Sequence, residues 1–213
     1  MLKVLNLYAG LGGNRRLWED VCVTAVEINP KLAKIYQDFF PNDTVIVGDA
    51  HQFLLNHFDG NWDFIWCSPP CESHSRMQRI SVGSDSGCNK DRRPVYPDMR
   101  LYQEIVLLKC FCNCKWAVEN VRSYYEPLVM PQILDRHFFW CNFLVSNLPN
   151  IDYKNNVIRF AHSKQLQVLK DVDVSMYKLS DDVKDKALRG YVNPVLGKHV
   201  FDCAFRLEQE KLF

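Results

Sequence analysis

With 213 residues, the chain has room for one domain and a small appendage around a sizeable core. Hydrophobic residues make up 47% and charged residues 24%, the balance of a water-soluble globular protein, and no apolar run reaches membrane-spanning length. A formal net charge of +1 excludes a globally basic surface, so any polyanion has to meet a local basic patch.

The run Leu2 to Tyr8 alternates as a first strand and enters Ala9-Gly-Leu-Gly-Gly13, after which a helix-like segment ends near Asp20. Strand, glycine turn and helix bring backbone N–H groups against a ligand, although a plain tight turn explains the glycines equally well. Val21 to Val26 reads as a second strand with Glu27 at its end. Glu27 follows Gly10 by 17 residues, close to the separation at which nucleotide-type folds set an acid on a ribose diol. Asn29 caps a helix with Pro30 in its first turn, and Pro41 and Asn42 close it. Thr44 to Val47 is a third strand. Asp49 follows it, either as the next helix cap or as a ligand contact, with neither reading favoured.

Trp62 to Cys67 is a short apolar, aromatic run and reads as a buried fourth strand. Pro69 and Pro70 end it, since proline cannot donate to a sheet ladder. Cys71 therefore lies just past a strand's carboxyl end, where open α/β sheets hold their ligands. By itself this thiol is more readily read as packing than as a nucleophile.

Residues 76 to 97 lack periodicity and form a long loop, the length of a lid or binding loop. Between Arg76 and Arg100 six basic residues (Arg76, Arg79, Lys90, Arg92, Arg93, Arg100) stand against three acidic ones (Asp85, Asp91, Asp98), a local net of 6 − 3 = +3 beside Cys71. Asp98 is expected to cap a helix with Leu101, Ile105, Leu108 and Cys112 on one face. Nine cysteines, with Cys110, Cys112 and Cys114 too closely spaced for a disulfide framework or a paired zinc site, point to reduced thiols. The amino terminus carries no signal-peptide pattern, and a cytoplasmic setting is expected. Lys115 to Val118 is a fifth strand leading into Glu119-Asn120-Val121, a second acid at the sheet edge of Cys71 and Glu27. Arg136 to Phe143 and Leu144-Val145 read as further sheet. Residues 146 to 189 are polar and less regular, and Gly190 to Val195 leads into a closing helix through Leu196, Val200, Cys203 and Leu207.

Strands alternating with helices define an α/β, doubly wound domain. Three parts are expected: a core over 1–145, a small target-recognition region over 146–189, and a C-terminal segment over 190–213 returning to the core. Taken in order, the motifs resemble the cytosine-5 DNA methyltransferases, in particular their compact phage-type members. Leu7-Tyr-Ala-Gly-Leu-Gly-Gly13 is similar to the family's cofactor turn, Glu27 and Asp49 to its ribose and adenine acids, Pro70-Cys71 to its nucleophile dipeptide, and Glu119-Asn-Val121 to its Glu-Asn-Val.

The resemblance implies a Rossmann-like S-adenosylmethionine-dependent methyltransferase fold and transfer of a methyl group to carbon 5 of cytosine in DNA. It assigns Cys71, Glu119 and Arg136 to catalysis. It assigns Tyr8, Ala9, Gly10, Gly12, Gly13, Glu27, Ile28, Asp49, Ala50, Pro69, Asn193 and Val195 to S-adenosylmethionine and its product S-adenosylhomocysteine, with no metal. DNA, as a duplex with a flipped cytosine or single-stranded, is the expected partner, met by Ser75, Arg76, Arg79, Arg92 and Arg93, and no membrane is expected. Restriction-modification or another phage role is the implied setting. Nearby arginines are expected to favour the Cys71 thiolate.

Four departures stand out: Asn6 where the family commonly has aspartate, Glu72 for the usual glutamine, His137 after Arg136 in a broken Arg-x-Arg pair, and Pro194 after Asn193. The same chemistry on tRNA remains open, because one branch of the family shares the Ser-Pro-Pro-Cys start. A catalytically silent nucleic-acid-binding relative and, last, a nicotinamide enzyme also remain.

Overall fold

The computed structural model describes residues 1–76, 95–147 and 163–205. Seven strands form one sheet: β1 (Leu2–Leu7), β2 (Val21–Glu27), β3 (Thr44–Val47), β4 (Phe64–Cys67), β5 (Lys115–Val121), β6 (Gln132–Leu134) and β7 (His137–Cys141). Their order is β3-β2-β1-β4-β5-β7-β6. The first five strands run parallel, and β7 and β6 close the edge antiparallel. Such strands are buried on both faces, which is why β4 reads as a continuous apolar run.

Six helices complete the described residues: α1 (Pro30–Phe39), α2 (Ala50–His57), α3 (Arg100–Phe111), α4 (Ser163–Lys170), α5 (Asp181–Arg189) and α6 (Pro194–Phe205). On one face Leu5, Leu7, Ile65 and Val118 pack with Leu54 of α2 and Ile105 and Leu108 of α3. On the other, Val4, Phe64, Trp66 and Phe139 pack with Trp18 and with Leu196, Val200 and Phe201 of α6. A third cluster sets Leu166, Val172, Val174 and Leu188 against Leu11 and Ile35, so α4 and α5 pack on the glycine turn and α1. No helix among the described residues is long and apolar enough to cross a membrane.

Several expectations need correction. No helix follows the glycine turn. The 12–18 segment closes through i,i+3 backbone bonds, Arg15 N to Gly12 O, Arg16 N to Gly13 O and Trp18 N to Arg15 O. Its side chains are tethered outward: Arg15 makes two bonds to Asp43 at 2.9 and 3.0 Å, and Asn14 Nδ2 donates to Asn6 Oδ1 at 2.8 Å. Asp98 is not the cap of α3; that position is Met99, and Asp98 Oδ1 accepts from Arg100 N at 3.1 Å. Strand β6 is short and without alternation in sequence, and Leu144-Val145 adds no strand. Leu207 lies outside the described residues.

The departure at Asn6 has a local reason. It is fully buried, accepts from Asn14, and its amide faces the Tyr36 hydroxyl at 3.5 Å while that hydroxyl donates to Asp43 at 2.9 Å. An aspartate there would lose the donor that meets Tyr36 and bury a charge received by the Asn14 amide.

Candidate active site

The strand order reverses at β1, which has β2 on one side and β4 on the other. Ligands of open α/β sheets bind at such a switch point, beyond the carboxyl ends of the strands. There the chain turns through Tyr8 (φ +56°) and Gly10 (φ +53°). Gly10 N donates to Glu27 Oε2 at 2.9 Å, and Asn29 N donates to Glu27 Oε1 at 2.8 Å. A carboxylate is tolerated at the end of a buried strand because two backbone amides receive it. After β3, Asp49 Oδ1 accepts from His51 N at 2.9 Å and Gln52 N at 3.2 Å, so Asp49 is the cap of α2 and also borders the cavity beside it.

That cavity has a volume of about 390 Å³. Of the residues assigned to the cofactor, Tyr8, Ala9, Gly10, Gly13, Glu27, Ile28, Asp49, Ala50 and Pro69 line it. Gly12, Asn193 and Val195 do not. Gly12 lies beneath, against Phe40 and Tyr36. Asn193 Oδ1 caps α6, accepting from Val195 N at 2.8 Å and Leu196 N at 3.3 Å. Sequence reading missed Tyr191 and Val192, which complete the wall, and Lys186 of α5. Only the packing of α4 and α5 on the turn brings these residues in, and no local motif marks them.

The cavity suits S-adenosylmethionine. Its size lies in the range of about 300–1,000 Å³ usual for small-molecule sites. Apolar Ile28, Leu101 and Pro69 can hold a flat base. A Cβ on Gly10 would meet nothing nearer than Tyr8 O at 4.0 Å, so a ligand can approach the backbone closely. Glu27 would hold the ribose hydroxyls and the glycine turn the amino-acid end.

Cys71 lies beyond β4, half-buried, with its carbonyl accepting from His74 N and Ser75 N, both at 3.0 Å. Burial pushes its thiol up to about 11, and the Glu119 and Glu72 carboxylates add to this. Glu119 is buried in β5, and desolvation raises its carboxyl to about 7, against the opposing effects of Ser68, Lys170 and Arg136. Asn120 Nδ2 donates to Pro69 O at 3.0 Å, fastening the Glu-Asn-Val segment to the Pro-Pro-Cys segment. His137 Nε2 lies 3.8 Å from Glu119 Oε1, yet burial lowers the imidazole to about 3, so at neutral pH it is uncharged. Its Nδ1 is buried without a hydrogen-bond partner. Arg136, just before β7, acts electrostatically on both Glu119 and His137. Cys71 and Arg136 thus each lie within electrostatic reach of Glu119.

Of the four loop arginines expected to supply a positive field, Arg76 alone is among the described residues. Arg76 is exposed and its Nε donates to Ser123 O at 3.3 Å, while Ser75 bridges Ser123 across the backbone. Among the described residues, Lys170 at the end of α4 is the cation that favours the Cys71 thiolate. Arg79, Arg92 and Arg93 lie outside the described residues. Glu72 is exposed and paired with Lys186 at 3.7 Å, so this departure falls at the mouth of the site. The cysteine trio brings only two sulfurs together, Cys112 and Cys114 at 3.1 Å, and the described residues hold no cluster of three or more His, Cys, Asp or Glu side chains able to take a metal.

Comparison with known proteins converges on one group. Residues 2–123 match the family model described as C-5 cytosine-specific DNA methylase. The human tRNA (cytosine(38)-C(5))-methyltransferase is 26% identical over 219 aligned residues, covering 91% of this chain and 54% of the human protein. The protein of that name from Spodoptera frugiperda is 26% identical over 150 residues, 67% of this chain and 42% of its own length. This chain thus spans about half the length of these relatives. Among solved structures, S. pombe Dnmt2 methyltransferase superposes with a TM-score of 0.57 at 13% identity over 94% of this chain and 97% of that one, a likeness of fold.

Proposed function

The chain belongs to the C-5 cytosine-specific DNA methylase family, and on that premise we propose that it methylates carbon 5 of a cytosine in DNA through a covalent adduct on Cys71. The observation that carries the reading is the Asn120–Pro69 hydrogen bond, which fastens the segment holding Glu119 to the cavity-lining Pro69-Pro70 that precedes Cys71.

S-adenosylmethionine, when bound, supplies an electrophilic methyl group. The remaining work belongs to the chain. The Cys71 sulfur adds to carbon 6 of the ring, and the electron pair of the ring's double bond becomes available at carbon 5. Charge builds on ring N3 as this happens. Glu119, raised to about 7, still holds a proton in a large share of molecules at neutral pH and can donate it to N3. Arg136 supplies a fixed positive charge on the same side, suited to the ring's O2. Once carbon 5 carries the methyl group, loss of its proton to solvent, return of the N3 proton to Glu119 and departure of sulfur as the thiolate restore the ring and the enzyme. The target base has to leave its stack, because side chains cannot reach carbon 6 inside a duplex.

The same chemistry on tRNA is the second reading, supported by the curated relatives, which are named tRNA methyltransferases. Trapping separates the two. Fluorine at carbon 5 cannot leave as a proton, so a 5-fluorocytosine substrate should lock the chain into a covalent complex. We expect trapping on duplex or single-stranded DNA, its loss in Cys71→Ser, and its retention in Cys67→Ser, whose thiol is fully buried in β4. Trapping on tRNA alone would transfer the assignment to RNA. Trapping on neither, with nucleic acid still bound, would leave a silent binding protein.

A further inference from the structure

One buried carboxylate takes no part in methyl transfer. Glu104 lies on the inner face of α3 with Leu101, Ile105 and Leu108 and is almost fully buried. A carboxylate among apolar side chains is costly unless bonds receive it, and an aliphatic residue there would avoid that cost. Its hydrogen bonds converge on Oε1. The Tyr8 hydroxyl donates to that oxygen, and His51 Nδ1 lies 3.0 Å from it. Beside an ionised carboxylate, which only accepts, His51 carries its proton on Nδ1. Oε2 is buried without a hydrogen-bond partner.

These bonds join three elements that border the cofactor cavity. Tyr8 follows β1 and lines the cavity itself. Asp49 and Ala50 line it immediately before His51 in α2, and Arg100 and Leu101 line it about one turn before Glu104 in α3. Tyr8 holds a left-handed backbone at φ +56°, which a bulky side chain rarely adopts. Such a conformation persists only where its surroundings over-determine it. One side of the ring packs against the core cluster that contains Leu5, Leu7 and Leu101, and the Glu104 bond fixes its far end.

We propose that Glu104 is a positioning residue for S-adenosylmethionine: by holding the Tyr8 hydroxyl it keeps that ring in the cavity wall before the cofactor arrives, so binding does not have to order it. His51 anchors the same carboxylate from α2, two residues after the cap residue Asp49. This role belongs to the cofactor cavity and is the same whether the methyl group passes to DNA or to tRNA. A glutamate that only tied α3 to α2 would keep its His51 bond and leave cofactor affinity indifferent to the Tyr8 hydroxyl.

Titration calorimetry of S-adenosylhomocysteine into the full chain, without nucleic acid, tests this. Tyr8→Phe deletes the hydroxyl, and Glu104→Leu deletes its acceptor. Each should weaken binding roughly two- to tenfold, the cost of ordering one side chain on association. Glu104→Gln keeps an acceptor oxygen and should recover most of the wild-type affinity. Glu104→Leu added to Tyr8→Phe should bring little further loss, since both remove the same bond. Wild-type affinity in Tyr8→Phe would overturn the proposal, as would single losses that multiply in full in the double variant. Tyr8→Phe is decisive even where Glu104→Leu does not fold, because His51 still meets the carboxylate. Weakened binding in Tyr8→Phe by a chain that traps no fluorinated substrate would support the Glu104 role and remove the methyl-transfer reading.

Discussion

At Glu27 each carboxylate oxygen already accepts one backbone N–H, from Gly10 and from Asn29. The remaining lone pairs are the ones a ribose diol would use. Glu27→Gln replaces one acceptor with an amide donor that faces a backbone N–H, so the glycine turn and the ligand both lose a charge-assisted bond. We expect S-adenosylmethionine binding to weaken by about 1.5–3 kcal/mol, measured by titration calorimetry. Unchanged affinity would remove Glu27 from the ribose. The position was legible because a carboxylate ending a β-branched run has few other uses. Tyr191 and Val192 were not, because nothing in the local sequence ties them to a glycine turn so far earlier in the chain.

The glycine turn illustrates what an element's sequence leaves undecided. A ligand-cradling loop and a packing turn both demand glycine, and the sequence does not say which glycine does which. In the structure Gly10 faces open space, whereas a Cβ on Gly13 would sit 2.2 Å from Val192 O and one on Gly12 2.3 Å from Phe40 Cε2. Gly13→Ala would therefore push residues 191–192 and the start of α6 off the turn, and we expect a loss of about 1–3 kcal/mol or more in urea denaturation. Gly10→Ala should lose only the roughly 1–2 kcal/mol of a left-handed backbone while affecting cofactor affinity more. The opposite ranking in stability would show that the turn is not seated on Val192. Strands were read well because burial on both faces writes them as apolar runs. The missing helix after Gly13 was misread because tethers from Arg15 and Asn14 to distant residues outweigh local helix propensity.

Across the whole molecule, opposite shifts in one buried pair shape stability against pH. His137, lowered to about 3, stays neutral in the fold, so the unfolded chain binds its proton first and stability is lost as pH falls from about 6.5 toward 3. Glu119, raised to about 7, keeps its proton in the fold, so its contribution is present below about 4.5 and lost as pH rises through 7. The two slopes oppose each other between about 4.5 and 6.5, and below that window the histidine acts alone. Thermal melts of His137→Phe should therefore lose part of the wild-type decline between about pH 4.5 and 3, up to about 1.4 kcal/mol per pH unit. Identical declines in both proteins would count against a buried neutral imidazole. The α/β class of the domain was legible from alternating strand and helix patterns, whereas the order of the strands was not read from them. The seating of α4 and α5 was not, since it depends on contacts between segments far apart in the chain.

The packing of Trp18 has a consequence for how this protein comes to exist. Its indole donates to the Gly197 carbonyl at 3.2 Å and stacks on Phe201 at 5.1 Å between centroids, while Phe64 and Trp66 pack against its other sides. The first strand thus shares its core with the last helix. During synthesis the amino-terminal half leaves the ribosome with that apolar face uncovered, and it stays uncovered until α6 has emerged. Closing so many long-range contacts at once makes folding slow and delays it until α6 has been made, an interval in which a nascent chain is exposed to aggregation and dependent on chaperones.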